Sequence, residues 1–344
     1  MTKDNKWLLA SHMQKALRRG LKDEALWAMR HLHDLDRSYM AYRLGVIMAE
    51  DIVGSGEIVL PKGNNAWGAR YFDAKKSPEE LAQWEHLVSN LSSLTKDSTC
   101  CEHIACVAWK NDFEQMEGRK WEDVSPHQAL EGMHNTDKPW WWRGLMSWRA
   151  IGTKKYPNDL LGEVEGEPLA WLETLSPLDK QFVETVGFKH IEPHVVFLPL
   201  IKMYQQEDLK NGYTVVTEHT SLVSGKSGPW LHASLDKHTR EGGQALSLYL
   251  KQSPSQDLQE LKNRCDPYDA VGRLYFWAEG GKHDLFLSSH TSSQIKKDIR
   301  KRWLHHYNLN GKWFFDTWFN LPKMNECRDQ VILSLKPSVL TKPK

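Results

Sequence analysis

The 344-residue chain is long enough for roughly two or three domains and a sizeable buried core. Its 45 Lys and Arg against 44 Asp and Glu leave a formal charge of +1, which excludes a protein that coats nucleic acid by net charge alone. Any electropositive surface must come from local clustering. A mean hydropathy of -0.59 argues against a membrane protein. The longest apolar run, Val195 to Tyr204, is broken by Pro199 and Lys202 and falls short of the ~18 to 20 residues that span a bilayer. The polar start, Met1 to Lys6, is unlike a secretory signal, so a cytoplasmic location is expected. The odd set of five cysteines, three of them crowded at 100, 101 and 106, does not resemble a disulfide framework, and reduced thiols are expected. Sixteen tryptophans imply either an indole-rich core or indoles that face a partner.

From Ser11 to Ile52 apolar residues recur at three- and four-residue steps, with breaks at Gly20 and at Asp34 to Ser38, which predicts three short helices. Gly54 to Gly68 reads as a loop. Ser-Pro helix starts recur at Ser77, Ser125 and Ser176, each with a capping hydroxyl followed by proline in the first turn. Asp159 to Glu173, rich in acids and without Lys or Arg, is expected to be a solvated connector. After Gln205, Tyr213 to Val223 is β-branched, and Arg273 to Leu287 reads as a hairpin turning at Gly280-Gly281. The tail from Lys336 has little to bury. The expected fold is mainly α, a multi-helix protein with a small β hairpin element in the C-terminal third. Three segments are expected: residues 1–60, a three-helix module; 61–205, a helical domain; and 206–344, an α+β region with a basic helix.

Lys15-Ala-Leu-Arg-Arg-Gly20, Glu24-Ala-Leu-Trp27, Tyr39-Met-Ala-Tyr-Arg-Leu44 and Ala49-Glu-Asp-Ile52 resemble the helical lid that follows the ATPase core in MgsA/RarA-type clamp-loader-like AAA+ proteins. The resemblance implies an association with replication or repair DNA and suggests a phage-encoded accessory protein. It does not carry over the ATPase, because the G-x-x-x-x-G-K-[ST] loop that cradles phosphate is missing. The nearest approach, Gly225-Lys226-Ser227, has Thr220 in place of the first glycine and Gly228-Pro229 where a helix should begin, and it reads as a turn. Asp236-Lys-His-Thr-Arg-Glu-Gly242 and Phe276-Trp-Ala-Glu-Gly280 look like a paired pattern in stand-alone relatives of these lids.

Two clusters suggest nucleic-acid contact. Pro139 to Arg149, followed by Lys154-Lys155-Tyr156, interleaves indoles and cations as single-strand binders do, with bases stacking on aromatic faces while Arg and Lys neutralise phosphates. Helical spacing places Trp141, Leu145 and Trp148 on one buried face and leaves Trp140, Trp142, Arg143 and Arg149 to bind. Lys296, Lys297, Arg300, Lys301, Arg302 and Trp303, followed by Lys312 and Trp313, form a local positive surface, although such a run is usually a solvated face. Lys237, His238 and Arg240 offer an anion contact. Together with Asp236 they could instead serve acid-base chemistry, which needs these groups at hydrogen-bonding distance. His190 and His194 have no identifiable partner, and His31 and His33 read as surface residues.

Cys100-Cys101-Glu102-His103, with Cys106, contains preferred zinc ligands but lacks the usual paired spacing. It reads as a capped apolar helix from Asp97, so no metal and no cofactor are expected. These readings converge on a non-catalytic, single-stranded-DNA-binding accessory protein with a replication or transcription protein as a further partner and no membrane partner. The alternatives are a metal-dependent nuclease or nucleotide-handling enzyme built on Asp236 to Arg240, and a scaffold that docks an AAA+ or polymerase subunit.

Overall fold

Helix α1 (Lys6–Arg18) ends at Gly20, whose φ of +63° is the left-handed conformation that reverses the chain into α2 (Lys22–Asp51). The computed structural model describes residues 5–55, 78–153, 158–186, 193–219, 225–252, 258, 261–263, 265–309 and 320–334. The loop expected after Gly56, the second basic group Lys154 to Tyr156, His190, the Lys312-Trp313 pair and the tail from Lys336 lie outside the described residues. Within α2, Asp36 leaves helical geometry and its Oδ1 accepts from Tyr39 N at 3.0 Å, so it caps the second half of the element. The three expected N-terminal helices are thus present: α1, and two halves of α2 that meet at the break at Asp36.

Helix α3 (Pro78–Ser93) packs on α2, and α4 (Thr99–His103) continues through a 3-10 turn to Trp109 and into α5 (Lys110–Glu117). The Ser125 start of α6 (Pro126–Met133) is a full capping box, with Ser125 Oγ accepting from Gln128 N and Gln128 Oε1 from Ser125 N. Helix α7 (Trp140–Ile151) follows, then α8 (Asn158–Leu161), α9 (Pro168–Leu172), α10 (Pro177–Val186) and α11 (Leu198–Lys210). The acidic segment expected to be a solvated connector keeps Glu163, Glu165, Glu167 and Glu173 exposed but is anchored to the core at two points. Leu161 and Trp171 are buried, and Trp171 Nε1 donates to Ser147 Oγ at 3.1 Å.

The protein is mainly α with small two-stranded β elements. Strand β1 (Val216–His219) is followed by a tight hairpin of β2 (Lys226–Ser227) and β3 (Trp230–Leu231), which turns at Gly228 with φ +57°. Gly225-Lys226-Ser227 therefore enters a β turn. The predicted hairpin at Arg273 to Leu287 is not formed. Its first half continues α13 (Pro267–Tyr275), after α12 (Arg240–Gln252), into a π-helical turn at Phe276–Gly280. Its second half becomes β4 (Leu285–Ser288), which pairs antiparallel with β1. Helices α14 (His290–His306) and α15 (Leu321–Ser334) complete the described chain.

One apolar core takes Leu8, Met29 and Ile47 from α1 and α2, Trp121, Trp148, Trp171 and Phe197 from the middle, and Trp230, Ile299 and Ile332 from the second half. Residues of all three expected segments share it. A smaller core joins Leu246, Tyr249, Val271, Tyr275, Met324 and Cys327 of α12, α13 and α15. Each large apolar side chain so buried contributes about 1.5 to 3 kcal/mol relative to exposure. His33, read as a surface residue, is buried. The five cysteines are free thiols, and no helix among the described residues is long and apolar enough to cross a membrane.

Candidate nucleic-acid interface

Three separated motifs of the sequence converge. Helix α1 presents Lys15, Arg18 and Arg19 on one side, and burial forces each to find partners, since a buried charge without them is costly. Lys15 Nζ lies 2.7 Å from Asp236 Oδ2. Arg18 donates to Asp51 at 3.0 Å and to the Gly280 carbonyl at 3.0 Å, and Arg19 donates to the Glu279 carbonyl at 2.6 Å. The carbonyls come from the π-helical turn. The Glu279 carboxylate in turn receives Arg328 Nη1 at 2.5 Å, and Arg328 Nε donates to the Leu235 carbonyl at 3.1 Å. Phe276 lies beside Lys15 and Arg18 and meets the His238 ring edge-on at 6.1 Å.

This network fixes the turn from Asp236 to Gly242. His238 N donates to Asp236 Oδ1 at 2.9 Å, and Gly242 N donates to Thr239 Oγ1 at 3.1 Å. A Cβ on Gly242 would stand 1.9 Å from the Asp236 carbonyl oxygen, so the close approach of α12 to the turn requires glycine. Beyond the turn, Lys237 pairs with Asp269, and Asp269 also accepts from Tyr307 of α14 at 2.5 Å. Tyr268 donates to the Lys237 carbonyl at 3.3 Å.

The turn opens onto a groove of about 820 Å³. Lys237, His238, Arg240, Lys251 and Tyr268 contribute to its wall, and among the described residues no carboxylate does. Arg240, Gln244, Ser247 and Lys251 lie at steps of four, three and four along α12, one polar stripe facing the groove. Arg240, Lys251 and His238 are exposed there. Although His238 keeps part of its surface in solvent, desolvation by its neighbours holds the imidazole below the ordinary histidine value, against the pull of Asp236. Asp236 itself is buried, pairs with Lys15 and accepts from the His238 amide, and it does not line the groove.

The tryptophan stretch is placed differently from expectation. Trp140, Trp142, Arg143 and Arg149, assigned above to binding, are buried. Trp140 Nε1 donates to Asp298 at 3.1 Å and Trp142 Nε1 to Glu117 at 3.0 Å. Arg143 Nη2 lies 2.9 Å from Glu207 Oε1 with its guanidinium over the Tyr204 ring, and Arg149 Nη1 donates to the Glu165 carbonyl at 2.6 Å. Helix α7 is covered nearly all round, so a one-faced helix is the wrong description of it. Trp148 and Leu145 are core as expected, whereas Trp141 is only half-buried.

The basic helix divides. Ile295 and Ile299 of α14 are buried, and Lys297 and Lys301 are exposed. Lys296 is half-buried. Arg302 pairs with Asp112 and lies over the Trp109 ring at 4.4 Å, and Arg300 lies over the Trp277 ring at 5.8 Å. Trp303 is half-buried and meets Trp277 edge-on at 4.9 Å. Arg302 and Trp303 thus have structural contacts in place of the open position expected of them. Asp269, bonded to both Lys237 and Tyr307, links this helix to the groove. Lys251 and Tyr268 were missed in the sequence, although the helical stripe from Arg240 would have found Lys251.

No family model, curated protein or solved structure matches the chain significantly.

Proposed function

We propose that the chain is a non-catalytic accessory protein that binds single-stranded DNA, and that the groove at Lys237, His238, Arg240, Lys251 and Tyr268 holds the strand. The observation that carries this reading is a groove wall with several basic side chains and, among the described residues, no carboxylate, in a protein whose overall charge is nearly zero. Such a local concentration of positive charge suits a phosphate backbone, and displacing its counterions supplies most of the affinity. Tyr268 at the edge gives a base a ring to stack on, a contact worth ~1 to 3 kcal/mol. Lys297 and Lys301, exposed on α14, are a second cationic pair available to the strand.

The lid-like residues of α1 and α2 favour replication or repair as the setting, with a replication or transcription protein as a further partner. Those residues are committed to the buried network behind the groove, so in this reading they hold its shape. Catalysis at Asp236 is disfavoured because its carboxylate is already engaged with Lys15. The direct test is fluorescence anisotropy of a labelled single-stranded oligonucleotide, with duplex as competitor. Tighter single-strand binding that weakens with salt and with Arg240→Ala supports the reading, and no binding at low salt ends it.

A further inference from the structure

We infer that Glu50, Cys101 and His194 form a site for a divalent transition metal of the zinc type, with a fourth position left to solvent or to a bound molecule. The three side chains come from the end of α2, from α4 and from the turn before α11, and their ligand atoms lie within 4.8 Å of one another. Cys101 belongs to the cysteine-rich string in which no metal was expected, but the remainder of that string is otherwise engaged. Cys100 and Cys106 are buried in the core, and His103 Nδ1 donates to the Thr99 carbonyl at 2.7 Å.

The geometry is close to what a tetrahedral ion requires. With metal bonds of about 2.0 to 2.3 Å, donor atoms on the edge of the tetrahedron stand roughly 3.3 to 3.6 Å apart. His194 Nδ1 and Glu50 Oε1 are already 3.4 Å apart. The Cys101 sulfur has to move inward by at most about 1.4 Å to reach a tetrahedral edge, a side-chain rotation with a cost of order 1 kcal/mol that a metal–thiolate bond exceeds. His194 Nδ1 is sealed from solvent and makes no hydrogen bond of good geometry, its close polar neighbour being the proposed co-ligand Glu50 Oε1.

The surroundings orient the ligands. Glu50 Oε2 receives Gln14 Nε2 at 2.5 Å and lies 3.6 Å from Arg18 Nη2, which leaves Oε1 turned toward His194. Gln14 is itself fixed by Arg43, which donates to its Oε1 at 3.1 Å. Supporting contacts of this kind hold ligands in metal centres. One thiolate and one carboxylate neutralise the ion, and Asp51 on the neighbouring residue balances Arg18. A thiolate with an imidazole selects zinc over magnesium or calcium, which prefer oxygen alone. On binding, the Cys101 thiol gives its proton to solvent as the sulfur–metal bond forms, and no electron is transferred. Each of the three side chains is partly exposed, so the ion has a way in.

The test uses the full chain stripped with a chelator and titrated with Co2+, followed by Zn2+. The expected result is a thiolate-to-cobalt charge-transfer band that saturates at one equivalent and is displaced by Zn2+, with a rise in melting temperature. Cys101→Ser should abolish the band. His194→Gln should weaken binding at least about tenfold, since even a supporting contact is typically worth that much. Circular dichroism establishes that each variant is folded; if Cys101→Ser does not fold, the X-ray absorption spectrum of the zinc-loaded wild type must show one sulfur scatterer. A folded wild type that gives no charge-transfer band, a Cys101→Ser variant that binds like wild type, or a zinc shell without sulfur overturns the site.

Discussion

Lys15 of the first helix and Asp236 of the turn before α12 meet at 2.7 Å, with side-chain exposures of only 5% and 4%. The pair joins the start of the chain to the wall of the groove, and its energetics follow from its burial. Two charges taken out of water together are tolerated, whereas one left alone is not. Lys15→Met or Asp236→Leu alone is expected to cost about 3 to 5 kcal/mol, while the two together recover much of the loss. Urea unfolding of the three variants forms the double-mutant cycle that checks this.

Trp142→Ala and Trp148→Ala are expected to behave alike. Both indoles are buried, Trp142 with its Nε1 on Glu117 and Trp148 in the centre of the core. Each substitution should destabilise by about 3 to 5 kcal/mol. Neither should change DNA affinity in the folded fraction. Thermal unfolding together with oligonucleotide titration measures both effects, and a Trp142→Ala variant that melts like wild type contradicts the packing described.

Acid should weaken the fold through buried neutral histidines. Burial lowers His103 to about 4, and it lowers His283 to about 4 despite its Asp51 partner. An unfolded histidine takes its proton near pH ~6.5. Between those values the unfolded chain binds more protons than the folded one, so the stabilisation is complete above the unfolded value and declines as pH falls toward the folded value. The slope is about 1.4 kcal/mol per pH unit for each histidine. His103→Asn, whose amide can replace the bond to Thr99, should flatten the stability-pH profile below about pH 6.5. An unchanged slope in that variant rules His103 out as a contributor.

The helix periodicity, the Ser125 capping box and the breaks at Gly20 and near Asp36 were legible because they are local: each depends on residues within one or two turns. The Phe276 to Gly280 stretch was misread because aromatic residues before a Gly-Gly pair satisfy hairpin signals equally well. What decides for a π-helical turn is Arg18 and Arg19 bonding its carbonyls from far away in the sequence. The same limit explains the tryptophan stretch. Spacing identifies which residues share a face, but Trp140 and Trp142 became interior because Asp298 and Glu117 supply acceptors for their ring nitrogens. At the groove, Lys237, His238 and Arg240 were visible as an adjacent cationic run. Tyr268 joins them only through the fold, by its bond to the Lys237 carbonyl.

In the proposed reading the α12 groove binds single-stranded DNA through Arg240 and Lys251. The most direct measurement is affinity for a single-stranded oligonucleotide across a range of salt concentrations, for wild type and for Arg240→Ala with Lys251→Ala. Both side chains are exposed, so the double variant should keep its melting temperature. Each phosphate contact contributes roughly 0.7 to the slope of log affinity against log salt, so removing two should flatten that slope by about 1.4 and weaken binding at low salt. A folded double variant with unchanged affinity and unchanged slope would contradict the assignment.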